Sequence, residues 1–433
     1  MNITRTRLRP KSLTPRCFAA NIAVLVGLSG LCTDVVTADE PPPAAVPTEE
    51  VSLGDPTLTE GIPGEGPLTM EQVKQWLAQP KNHAALDVKL PRGLDAAAGN
   101  IYIPEDNPIT RAKIELGRQL YFDPRLSSDS TVSCASCHAP ELGWAFDTQF
   151  GVGVGDQTGN RNSPVSFNRI LSTHQFHDGR AGSLEEQAVG PIANPIEMAS
   201  THEACIETLS GIPVYRTQFE RIFPDGLTID NVGKAIATFE RTIVTGPAPY
   251  DYYVPLATFE KTFADDLEYL DEEPELAEQY AQLKAEAAKN PMTESSIRGM
   301  ELTFGKANCT ACHAGANFTD EQFHNIGVGM ESDEPDLGRF VVTQEEKDRG
   351  AFKTPTMRNV ATSGPYMHDG SQKTLKEVVE WYDKGGHPNQ WLSDKMKPLN
   401  LTEAEKADLV EFMVQGLTSD FPVIEIGRLP ADQ

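Results

Sequence analysis

Apolar residues recur along this chain at helical spacing, and nowhere do they alternate with polar ones for long enough to predict a sustained strand. Ile109, Ala112, Leu116 and Leu120 share one face, and Asn107-Pro108-Ile109-Thr110 supplies an opening, so a helix is predicted through about residue 121. Val232, Ile236, Phe239 and Ile243 form a second stripe over 231–244. Shorter helices are predicted over 68–79, over 183–189 with a stop at Gly190-Pro191, and over 294–304, 375–383 and 403–415. Residues 260–289 carry ten acids and three bases within an Ala/Glu/Leu pattern, which predicts a helical excursion on the surface. The Gly-, Asn- and Pro-rich stretch 151–164 reads as loop. The fold class is mostly α.

Two short runs stand out from this periodicity. They are Cys134-Ala135-Ser136-Cys137-His138 and Cys309-Thr310-Ala311-Cys312-His313. Two cysteines spaced i and i+3, followed at once by histidine, form the attachment signature of c-type haem. The thiols bond to the porphyrin vinyl groups and the imidazole reaches the iron. A lone CxxC also suits a redox dithiol or half a zinc site, but no further CxxC is present to complete a zinc tetrad. The chain therefore reads as two cytochrome c-like haem domains with long loops, with His138 and His313 as iron ligands. The domain boundaries fall at 67–247 and 248–433, and the second domain carries the acidic insertion 258–292.

The first 38 residues read as a secretory signal. Arg5, Arg7, Arg9, Lys11 and Arg16 precede an apolar stretch over 18–31, and Val36-Thr37-Ala38 offers a cleavage site. That stretch is short for a membrane span, and no other segment qualifies. Residues 39–66, rich in Pro, Gly and Glu, read as a flexible leader. Loss of 1–38 takes the net charge from −26 to about −30. Such acidity excludes non-specific nucleic-acid binding and suits a basic protein partner, although a merely solvated acidic surface fits equally well. Of seven cysteines, Cys17 and Cys32 leave with the signal, four hold haem, and Cys205 reads as a small buried hydrophobe.

Beyond these readings, the motifs Asn107-Pro108-Ile109-Thr110, RNSPVSFN, DGRAGSLEEQAVGPIANPIEM, TPTMRNV and GPYMHDG, with both CxxCH runs, resemble the bacterial di-haem cytochrome c peroxidase family, including its MauG-like members. The resemblance runs from about residue 107 to 430. It implies a peroxidatic first haem whose far side holds Glu197 and Gln187, with Pro191 against the haem face. A desolvated carboxylate there moves a proton between the two oxygens of a bound peroxide. Members that need reductive activation carry a histidine in the loop before RNSP. Here that position is Val154, which implies an open iron at rest, as in MauG-like members.

The resemblance further implies a six-coordinate second haem. Its sixth ligand is Tyr382, where MauG-like members have tyrosine, or alternatively Met367. A calcium ion between the haems matches Asn162, Ser363 and Pro365. His368 would lie near the haem propionates or the calcium waters. The family's inter-haem tryptophan before DGR is replaced by His177, with Trp144 and Trp381 as candidate substitutes.

The implied function is a periplasmic di-haem oxidoreductase that reacts with H2O2 at the first haem and exchanges electrons through the second. Its reductant would be a small cytochrome c or cupredoxin or, in the MauG-like alternative, a partner protein that becomes oxidised. A non-enzymatic di-haem electron carrier is the remaining alternative.

Overall fold

The computed structural model describes residues 48–431, so the signal at 1–38 and the start of the leader lie outside the described residues. Helices dominate, joined by long loops and single 3-10 turns. In chain order they are α1 (Met70–Leu77), α2 (Arg111–Phe122), α3 (Leu184–Ala193), α4 (His202–Gly211), α5 (Pro213–Ile222) and α6 (Ile229–Glu240). There follow α7 (Pro249–Thr262), α8 (Pro274–Lys289), α9 (Glu294–Phe304), α10 (Phe340–Thr343), α11 (Leu375–Asp383) and α12 (Glu403–Glu411). The strands are short. β1 (Glu49–Ser52) pairs in parallel with β2 (Leu86–Lys89), and β3 (Phe323–His324) pairs antiparallel with β4 (Phe352–Lys353).

Each attachment motif follows a helix that crosses a later one at a glycine. On α2, a Cβ at Gly117 would lie 1.9 Å from the Ala235 carbonyl of α6 and 2.8 Å from Phe239. On α9, a Cβ at Gly299 would lie 1.9 Å from the Asp408 carbonyl of α12 and 2.8 Å from Phe412. Backbones approach this closely only where no side chain intervenes. The crossings anchor two cores. The first gathers Leu116, Tyr121, Trp144, Phe167, Ile236 and Phe239, and the second gathers Phe318, Leu375, Val379, Leu409 and Phe412.

The correspondence continues into the loops. Asn168 and Asn359 are both left-handed, at φ 58° and 54°. Asn168 accepts a bond from the Thr245 amide at 3.0 Å, and Asn359 accepts one from Ser419 at 2.8 Å. Each is followed by a 3-10 turn and a tight hairpin, closed by Gln175 on Ala181 in one lobe and by Tyr366 on Gln372 in the other. Ser183 then caps α3 and Thr374 caps α11 through the same side-chain bond to the third residue of the helix.

Four features differ from the sequence reading. Residues 48–66 are structured: β1 pairs with β2, and Leu53, Leu58 and Ile62 are buried. These apolar residues, spaced between the prolines and glycines, outweigh the loop-like composition. Next, α3 continues through Gly190-Pro191 to Ala193, because a proline in the last turn removes only one ladder bond and the Asn194 amide still closes on the Pro191 carbonyl at 3.2 Å. The helix predicted over 403–415 loosens into a wider π-turn over Phe412–Gly416. Finally, the C-terminal segment, assigned by sequence to the second domain, returns to the first lobe. Trp144 Nε1 donates to the Pro422 carbonyl at 2.9 Å, Arg118 donates to the carbonyls of Ile426 and Arg428, and Ile424 joins the first core.

The acidic excursion is a helical hairpin made by the end of α7 and by α8. Tyr280 stacks on Phe259 with ring centroids 5.4 Å apart, and α8 has no fully buried residue.

Candidate active site

Both attachment motifs are tight turns. At the first, Ser133 and Ser136 bond reciprocally and the His138 amide closes on the Cys134 carbonyl at 3.1 Å. At the second, the His313 amide closes on Cys309 at 2.8 Å. One continuous cavity of about 730 Å³ reaches both turns and passes between the lobes. Burial raises the four thiols, Cys309 to about 11. A redox dithiol works through a thiolate, so this environment disfavours that use.

The imidazoles suit iron. His313 Nδ1 lies 3.1 Å from the Phe318 carbonyl, a bond that fixes the proton on Nδ1 and leaves the Nε2 lone pair for a metal. Burial lowers His313, and it lowers His138 to about 4 against the pull of the Pro164 and Trp144 carbonyls. His138 Nδ1 is itself buried and has no hydrogen bond of normal geometry. Unpaired thiols, neutral imidazoles and a shared cavity fit covalent haem at both turns. Cys312 also lies within 4.8 Å of Asp320 and His324, but that grouping offers a metal site only while the thiol is free.

Above the first turn, α3 and the bend after it bring Gln187, Pro191, Asn194 and Glu197 to the cavity wall. The bend is fixed by the Glu197 amide on the Asn194 carbonyl at 3.1 Å and by the Met198 amide on Pro191 at 3.3 Å. Asn194 Nδ2 donates to Glu197 Oε1 at 2.6 Å. Burial lifts the Glu197 carboxyl above its usual range, partly offset by Arg180 and Asn194. The glycine-rich loop lies against this bend: the Val154 amide donates to the Glu197 carbonyl at 2.8 Å, and a Cβ at Gly153 would lie 2.2 Å from Ile196 O. The Val154 side chain packs toward the first core, and the loop lends Gly151, Gly153, Gly159 and Asn160 to the cavity.

Above the second turn, α11 carries Val378 and Tyr382 to the wall. Burial pushes the Tyr382 phenol up, with the Cys312 and Cys309 sulfurs acting in the same direction and no hydrogen bond involved. Met367 also lines the cavity, from a left-handed position at φ 73°.

Between the lobes, His177 Nε2 lies 2.9 Å from the Asn162 carbonyl, and the Asn162 amide donates to the His368 carbonyl at 2.7 Å. Burial lowers both imidazoles to about 4. His368 stacks on Phe352 with centroids 3.6 Å apart. Arg161 clamps Asp178 of the first lobe and Asp336 of the second, each at 2.7 Å. Asn162, Ser363 and Pro365 all line this stretch. Both Nδ2 bonds of Asn162 go to backbone carbonyls, of Thr148 and Gln149. Trp144 and Trp381 do not line the cavity. Trp144 is packed in the first core, and Trp381 donates to the Ile326 carbonyl at 3.0 Å.

Sequence reasoning missed a polar wall of Arg169, Gln175, Glu240, Glu321 and Lys353. The residues come from both lobes and none sits in a ligand-type motif. Their only signal is position, since Arg169 follows RNSPVSFN and Lys353 precedes TPTMRNV.

Comparison with known proteins bears on this geometry. Residues 111–258 match the family described as Di-haem cytochrome c peroxidase, and residues 297–416 match Cytochrome c. The Methylamine utilization protein MauG of Methylorubrum extorquens is 37% identical over 329 residues, covering 76% of this chain and 84% of that protein. The Cytochrome c551 peroxidase of Nitrosomonas europaea is 37% identical over 319 residues, covering 73% of this chain and 83% of the relative. A solved MauG-like protein associated with microbial copper homeostasis superposes with a TM-score of 0.62 at 27% identity, covering 76% of this chain and 95% of that one.

Proposed function

The chain belongs to the di-haem cytochrome c peroxidase family, and from that membership we propose a division of labour between its two sites. The first is the peroxide site and the second is a closed electron-transfer site. The observation that carries this reading is one position on matched helices. Eight residues past its cap, α3 has Pro191, while α11 has Tyr382. Proline offers no side-chain donor to iron, whereas a phenol does.

Haem iron, when bound, supplies the site where a peroxide oxygen is held and the electrons that its reduction takes up. The rest falls to the chain. Glu197 takes the proton from the near oxygen and returns it to the departing one, so that the latter leaves as water. Its raised pKa keeps the carboxylate basic enough for this, and the Asn194 bond fixes its direction. Gln187 orients the peroxide through its amide. The loop at Val154 leaves the site open, because it brings no histidine or methionine to the cavity.

Tyr382 is the proposed sixth ligand at the second site, supported by its burial against Cys309 and Cys312, with Met367 as the alternative. Calcium would take Asn162 Oδ1 with the Ser363 and Pro365 carbonyls. Export to the periplasm accords with c-type attachment, and no helix among the described residues is long and apolar enough to cross a membrane. The electrons come from a small basic cytochrome or cupredoxin. A protein substrate, as for MauG, is a second reading favoured by Val154, since an iron open at rest needs no prior reduction.

Ferric EPR and absorption spectra of the holoprotein test the division. One high-spin and one low-spin haem are expected, and two low-spin signals would instead fit the electron carrier.

A further inference from the structure

Arg169 is enclosed by protein, and the surface it keeps opens onto the cavity. Its Nε donates to Gln175 Oε1 at 3.0 Å and its Nη2 to Ser172 Oγ at 2.7 Å, both neutral acceptors. Nη1 has no partner among the described residues, and none of their carboxylates stands within hydrogen-bond distance of the guanidinium. Glu321 is taken by Lys353 at 2.7 Å and by Ser172 at 2.5 Å, and burial holds Glu240 largely protonated, at about 8. Glu321 and Glu240 act on the guanidinium only from a distance. An enclosed guanidinium with no carboxylate in contact is costly, and its planar fork suits a planar anionic group such as a carboxylate. Arg169 is also close enough to His138 for the imidazole to respond to its charge.

We propose that Arg169 is the seat for a propionate of the first haem, with its Nη1 edge donating to the propionate oxygens. Ser172 holds the guanidinium in place and is itself held by Lys353 and Glu321 of the second lobe. Lys353 spends its remaining bond on the His174 carbonyl at 3.0 Å, so it has no donor left for a ligand and serves as a positioning residue. The second lobe has no charge at the matching position, where Val360 stands in place of Arg169. The seat therefore distinguishes the first haem from the second while tying it to the second lobe.

This inference rests on haem at the first motif, which a pyridine haemochrome count of two per native chain establishes separately. The test is resonance Raman of the propionate-bending bands, together with spectroelectrochemical potentials, on the purified holoproteins. Arg169→Gln is expected to move one propionate band to lower frequency and to lower the first haem's potential, with the second haem's unchanged. Arg169→Lys, which keeps the charge, is expected to move the band less and to restore most of the potential. Should Arg169→Gln fail to fold, the band shift in Arg169→Lys alone decides the matter. Bands and potentials unmoved in a folded variant with both haems attached would overturn the proposal and leave the haem assignment standing.

Discussion

The two lobes solve one folding problem identically and then part at a few cavity positions. Both cross helices at a glycine, both turn on a left-handed asparagine, and both close a hairpin into a capped helix. On that shared frame Gln187 corresponds to Val378, Pro191 to Tyr382, and Phe176 to Met367, while His177 and His368 match. At one matched helix position the first lobe has a hydrogen-bonding glutamine where the second has an apolar valine. At another the first has proline where the second has tyrosine. On the proposed assignment, a shared scaffold would carry an open site and a closed one through the side chains at these positions, which is how function is grafted on folds.

The comparison is broken most severely at Glu197. Glu197→Gln is expected to slow the reaction with peroxide roughly 10²–10⁴-fold while both haems remain attached, as stopped-flow absorption would measure. In the native protein the rate should fall as pH drops through the Glu197 pKa, which burial raises above the ordinary carboxylate value, and the Gln variant should lose that limb. An unchanged rate in the variant would remove Glu197 from the chemistry. The next test lies at the matched helix position. Tyr382→Phe is expected to move the ferric absorption and EPR lines of the second haem alone, and the same change on Met367→Leu instead would reassign the ligand. Smallest and most symmetrical are the crossings. Gly117→Ala and Gly299→Ala should each cost about 1–3 kcal/mol, read as lowered thermal midpoints, because the helices must move apart. If only one variant is destabilised, the two crossings are not equivalent.

Much of this architecture is legible in local signals along the chain. Periodic stripes locate α2 and α6, and the CxxCH runs locate both attachment turns. Spacing alone does not reveal that Gly117 meets Ala235, or that α3 survives Pro191, since both depend on what packs alongside. The helices over His202–Gly211 and Pro213–Ile222 escape a reading by pattern because two short runs broken at Gly211-Ile212-Pro213 resemble a loop. Arg169, Lys353 and Glu321 escape it for another reason. Each is unremarkable in its own segment, and their meaning comes from a junction between segments about 150 to 180 residues apart. Glu197 is legible only through its resemblance to the family motif, and its bond to Asn194 within that motif emerges only in the fold.

The returning C-terminal segment bears on the order of synthesis. Residues 422–428 are synthesised after α12 and after both attachment motifs, yet Trp144 and Arg118 of the first lobe take hydrogen-bond partners from those residues. The first lobe is therefore incomplete while the chain is still emerging, although N-terminal domains ordinarily fold first. Both cysteine pairs precede that closing segment, so haem can be joined to each before the molecule is latched.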